Sequence, residues 1–292
     1  MNSGFNDMSK VIPINAPEIH RACVDARLEA LESLLDVLLD TEIDPKKAQH
    51  LRQLKETTWL ASSTLFELEE VRSRHPTNHV PDLGISEFGQ LEIYKSTIEF
   101  HNAMYLLLNG MANVVNKYPN TFQNAGTSNV TRFMEWLVLE ESHKFAVQNA
   151  ILPTHAFRTI VNHPQQAHLL NWETQTRGGP PVYIVLTGLG KPKAALPTED
   201  VTFSEGMGWA MASPEECLTS ILILDVLRWI LEGIRDSIYG PVNLGDRSWY
   251  ESGAKQLAEL VKINPGSVSL EFRRSLVELI DLGSYLETSA FD

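Results

Sequence analysis

Four of the nine histidines in this 292-residue chain fall close together, at His143, His155, His163 and His168. Imidazole is the side chain that gives and takes a proton near neutral pH, so acid–base chemistry is sought there first. The same stretch also carries cations. Residues 130–180 hold Arg132, Lys144, Arg158 and Arg177 against Glu135, Glu140, Glu141 and Glu173, a formal charge of 4 − 4 = 0. The whole chain, with 24 Lys and Arg against 37 Asp and Glu, stands at −13. Its acidity therefore lies outside this stretch. A field of that sign repels phosphate polymers and anionic lipid, which argues against broad nonspecific DNA binding and against membrane binding. It leaves room for a local anion site, RNA included, within 130–180.

The sharpest pattern inside that stretch is Phe157-Arg158-Thr159-Ile160-Val161-Asn162-His163-Pro164. An arginine followed five positions later by a histidine, with polar residues between them, resembles the R-x4–6-H motif of the HEPN superfamily. That resemblance implies a compact helical domain, in many members a metal-independent endoribonuclease or toxin, in others a nucleotide-binding or inactive protein. It implies that Arg158 holds the scissile phosphate and that His163 acts as base or acid, with Thr159 and Asn162 orienting them. It further implies a homodimer in which two protomers face each other and contribute both residues twice. The chemistry suits the residue types. Cleaving RNA without metal needs a base for the 2′-hydroxyl proton and a cation for the charge that grows on phosphate. Read without the resemblance, Arg158 is a salt-bridge partner for Glu140 or Glu141. His163 is then a histidine stabilised by the C-terminal end of a helix.

Glu140-x-x-His143 forms a second constellation. Its spacing sets carboxylate and imidazole on one helical face, as in di-iron bundles, and with His155 it defines a helical metalloprotein alternative. A dinuclear site needs two such pairs, and no second Glu-x-x-His occurs. No cofactor is expected: nucleophile-elbow, phosphate-loop and dinucleotide signatures are missing, and Gly188-Leu189-Gly190 lacks a third glycine. Asp225, Arg228, Glu232 and Arg235 lie along one face of an apolar helix and should pair, either along the helix or across a cleft or subunit seam. Trp172 either stacks a base or packs on its own fold.

Helices must carry these groups. Apolar residues recur at three- and four-residue steps from Pro17, then through Leu51, Leu54, Trp59, Leu65, Leu68 and Val71 after an Asp44-Pro45 start. A third helix should run from Ser86 to Tyr118, a fourth from Val130 to about Leu152, and a short one from His155 to His163 with Thr154 as its cap. Val182–Thr187 reads as a strand, with Val201–Phe203 as its antiparallel partner. Ser213-Pro214-Glu215-Glu216 has the form of a helix start and precedes an apolar helix over 214–237. Shorter helices should follow near 249–263 and 268–287. The fold class is thus mainly all-α, long amphipathic helices with one β-hairpin inserted at about 182–204. Residues 1–16 read as a flexible tail and 17–292 as one helical domain, divisible into a helical pair over 17–80 and a HEPN-like region over 86–292.

The chain has two cysteines, far apart and without metal or redox spacing, and its first residues lack a secretory leader, so the expected setting is cytoplasmic. The functional expectations are a HEPN-like endoribonuclease or toxin-type protein, a non-catalytic helical interaction or dimerisation module, and a helical metalloprotein.

Overall fold

A computed structural model describes residues 16–75, 87–123, 125, 129–163, 171–176, 182–188, 201–204 and 208–240. The expected tail (apart from Ala16), the two C-terminal helices, His79, His168 and Arg177 lie outside the described residues. Residues 27–241 form one compact unit; residues 16–26 belong to a second and are described only as the start of a helix.

The architecture is mainly helical. Helix α1 spans Ala16–Thr41, α2 Pro45–Arg74 and α3 Glu87–Lys117. Asp44 starts α2 by accepting the Lys46 N–H at 2.8 Å, with Pro45 in the first helical position. Leu31, Leu35 and Leu38 of α1, with Leu51, Leu54, Leu65 and Leu68 of α2, are almost wholly buried, and α2 packs along α3. Trp59, expected from its spacing to be core, is 72% exposed, and Val37 of α1 is 47% exposed. They sit beside the apolar stripe, a rotation that the three-to-four spacing alone does not resolve.

The fourth helix is not continuous. Helix α4, Val130–Leu137, is capped by Asn129, whose side chain accepts the Arg132 N–H at 3.0 Å. The chain then turns, makes a 3-10 turn at Glu141–His143 and re-enters helix as α5, Lys144–Ala146. A π-helical turn, Val147–Ile151, leads into α6, Leu152–Asn162. The expected break at Pro153 is therefore absent. Proline cannot donate to the preceding turn, but it sits here in the first turn of α6, directly after the widened π turn, where no donor is required. Thr154 is correspondingly no cap; it is wholly buried.

The inserted β element is a four-stranded antiparallel sheet in the order β1-β2-β4-β3. Its strands are β1 Asn171–Thr176, β2 Val182–Gly188, β3 Val201–Ser204 and β4 Gly208–Ala212. The strand expected at 201–203 exists, but it pairs with β4 (Phe203 opposite Trp209), and β4 separates it from β2. Val182, Ile184 and Leu186, alternating along β2, form a core with Ile93 of α3 and with Ala156, Phe157 and Ile160 of α6. The sheet is thus a clamp on the helix that carries the R-x4–6-H motif. Ser213 extends it: its hydroxyl accepts the Ile184 N–H at 3.1 Å and its own N–H donates to the Ile184 carbonyl at 2.7 Å. Ser213 is not the expected N-cap. Helix α7, Glu216–Tyr239, begins later, after Glu215.

Candidate functional site

His155, Arg158, Thr159 and Asn162 occupy positions i, i+3, i+4 and i+7 of α6 and so share one face. The opposite residues Ala156, Phe157 and Ile160 are buried, whereas this face is half-buried to exposed. Helix α3 packs beside it and supplies Tyr105 and Asn102. The Arg158 guanidinium carbon lies 4.2 Å from the Tyr105 ring centroid. The His155 ring centroid is 5.8 Å from that same ring, tilted by 38°. Asn162 Nδ2 donates to Asn102 Oδ1 at 2.7 Å, stitching the two helices together one turn further on.

Arg158 makes no salt bridge among the described side chains, and the one expected with Glu140 does not form. Its Nε is covered and has no hydrogen-bond partner. The cation is therefore positioned by a π face, and no described carboxylate compensates its charge. Burial, and after it the charge of Arg158, lowers the pKa of His155 below its ordinary value. The ring is consequently neutral at pH 7, with one nitrogen available as an acceptor.

The other motif residues have different duties. Thr159 gives its hydroxyl to the His155 carbonyl at 2.7 Å, a bond within its own helix, and Asn162 gives its amide to Asn102. Among the described residues, neither side chain hydrogen-bonds to Arg158 or His163. His163 is exposed and ends α6, its backbone N–H resting on the Thr159 carbonyl at 3.0 Å. Tyr105 and Asn102 escape any local motif because they lie on another helix. The polar residues Asn102, Tyr105 and Asn109 of α3, spaced three and four apart, are the sequence trace of that face.

The histidines outside α6 are placed elsewhere. His143 is buried edge-on against Trp229 of α7, with ring centroids 4.4 Å apart. Burial lowers its pKa to about 4, against an opposing pull from Asp225. His143 and His155 thus face different helices, Trp229 on one side and Tyr105 on the other. Among the described residues no three His, Cys, Asp or Glu side chains are grouped to hold a metal, so Glu140, His143 and His155 are not assembled into one.

Two further polar features are structural in character. Arg72 of α2 forks onto Glu216 of α7 (3.0 and 2.9 Å) and donates to the Val182 carbonyl of β2 at 2.8 Å. Burial opposes its charge, but the Glu216 carboxylate outweighs that and holds the guanidinium ionised. Nearby His101, wholly buried and ringed by Phe100 and Phe157, has its pKa lowered to about 3 by burial and by Arg72. Along α7 the expected pairing occurs, within the helix and beyond it: Arg228 with Glu232 at 2.7 Å, Asp225 with Arg27 at 2.8 Å and Arg235 with Asp236 at 2.8 Å. Trp172 is stacked on Tyr94, with centroids 4.3 Å apart and planes 3° from parallel, so its face is occupied by its own fold.

No family model, curated protein or solved structure matches the chain. Among the described residues, no helix is long and apolar enough to cross a membrane.

Proposed function

We propose that the α3–α6 face is an anion-binding, acid–base site and that the protein is a HEPN-like, metal-independent endoribonuclease acting as a homodimer. The observation that carries this reading is Arg158, held on the Tyr105 ring and paired with no carboxylate among the described side chains. A guanidinium in that state is preorganised for the non-bridging oxygens of a phosphodiester, which its planar fork engages two at a time. Imidazole on the same helix supplies a proton acceptor for the 2′-hydroxyl, and the formal neutrality of 130–180 adds no local repulsion to the field of the rest of the chain. The test is incubation of the full chain with total RNA and with tRNA in EDTA, beside Arg158→Gln. Cleavage by the wild type, reduced on the order of 10²-fold or more in the variant, supports the reading. Equal, negligible cleavage by both removes it. Sedimentation equilibrium measures the dimer.

A second reading, a non-catalytic helical interaction or dimerisation module, is favoured by Trp59, which stands 72% exposed on α2. A large indole left in water is typical of a contact surface. Under this reading the chain self-associates or binds a partner but leaves RNA intact.

A further inference from the structure

We propose that His155, and not the motif residue His163, is the imidazole that works with Arg158, and that Tyr105 is the residue that positions both. This inference rests on the α3–α6 site being the ribonuclease centre. It departs from the resemblance, which pairs Arg158 with His163.

Helix geometry supplies the first argument. With 3.6 residues per turn and a rise of 1.5 Å, His155 and Arg158 are about 60° apart around α6 and about 4.5 Å apart along it. Residue 163 is about 140° round from Arg158 and about 7.5 Å along, and it falls at the end of the helix, where the backbone has left helical geometry (φ −126°, ψ 57°). Shared contact supplies the second. Arg158 and His155 meet the same phenol ring, at 4.2 and 5.8 Å, so one rigid aromatic on α3 fixes a cation and an imidazole side by side. His163 is an exposed side chain at the end of the helix. Environment supplies the third. Among the described residues, Arg158 of α6 and Tyr105 of α3 are the titratable groups facing His155, and burial first, then the guanidinium charge, lowers its pKa and so favours the basic, uncharged ring at pH 7. A base must be unprotonated before it can act.

The step balances as follows. The 2′-hydroxyl proton passes to the free ring nitrogen of His155 as the 2′-oxygen bonds to phosphorus. The bond from phosphorus to the 5′-oxygen breaks with its electron pair staying on that oxygen, which takes a proton from water. His155 then releases its proton to solvent. The products are a 2′,3′-cyclic phosphate and a 5′-hydroxyl, and Arg158 stabilises the non-bridging oxygens throughout.

The experiment compares His155→Gln, His163→Gln, Tyr105→Phe and Tyr105→Ala with the wild type for RNA cleavage in EDTA across pH 5 to 8. Circular dichroism and the urea midpoint of each variant establish folding. In parallel, the histidine Cε1–H resonances are followed by NMR as inorganic phosphate is added. The expected result is a rate loss on the order of 10² or more for His155→Gln and a smaller loss for His163→Gln. Tyr105→Phe, which keeps the ring, should retain most of the rate that Tyr105→Ala loses, and the Ala variant should shift the acid limb of the pH profile. Phosphate should move the His155 resonance more than that of His163. A larger loss in His163→Gln, or a phosphate response confined to His163, overturns the inference while leaving the ribonuclease reading standing. No cleavage by the folded wild type overturns both.

Discussion

Glu216 is 1% exposed, and its two oxygens are taken by Arg72. A pair this deep is costly to form and more costly to break, because removing one partner strands the other charge away from water. Glu216→Gln should therefore lower stability by about 3–5 kcal/mol in urea unfolding. A loss within experimental error of zero would mean that Arg72 finds solvent. The contrast with Arg158 is instructive. One arginine is neutralised by a buried carboxylate and serves as a tie between α2, β2 and α7. The other rests on Tyr105, uncompensated by any described carboxylate, on a face that solvent reaches. Residue type alone does not separate these roles; the separation comes from which helix faces each side chain.

At the level of elements, the sheet explains a glycine that the sequence leaves without a purpose. A Cβ on Gly188 would lie 2.6 Å from Cζ2 of Trp209 on the neighbouring strand, closer than real Cβ atoms approach another carbon. Gly188→Ala should cost about 1–3 kcal/mol through the displaced indole, read as a fall in the urea midpoint; an unchanged midpoint would show that the strand shifts freely. Long amphipathic helices were legible because their period persists over many turns, as in α2 and α3, and the Asp44-Pro45 start was legible because capping is local. The edge strand Asn171–Thr176 is polar, with Trp172 as its one large apolar side chain, and Gly208–Ala212 is short, so neither carries the apolar alternation that marked Val182–Thr187. Ser213 looked like a cap because its local chemistry suits one; Ile184, twenty-nine residues earlier, claims it for the sheet. Within the candidate site, Arg158 was visible as a motif residue. Tyr105 was not, because the polar spacing along α3 does not say which helix packs against it.

For the molecule as a whole, acid should be more damaging than the carboxylates alone would make it. His101 and His143 are held neutral in the fold, with pKa values near 3 and near 4, while the same imidazoles in an unfolded chain titrate near 6.5. Each then takes up a proton only on unfolding over the window between those values. Their stabilising contribution is complete above about pH 6.5 and drains away as pH falls toward 4. In urea unfolding between pH 6 and 4.5, His101→Leu should flatten the decline by about 1.4 kcal/mol per pH unit, one proton's worth. An unchanged slope would place the acid sensitivity elsewhere. The net charge of −13 acts on the same scale and repels polyanions, with residues 130–180 formally neutral and adding nothing to that repulsion. Whether the α3–α6 site does chemistry is decided most directly by analysing the RNA ends produced in EDTA by wild type and Arg158→Gln, purified side by side. New 2′,3′-cyclic phosphate termini from the wild type, falling on the order of 10²-fold or more in the variant, are the expected result. Identical termini at identical rates from both proteins would contradict a catalytic Arg158.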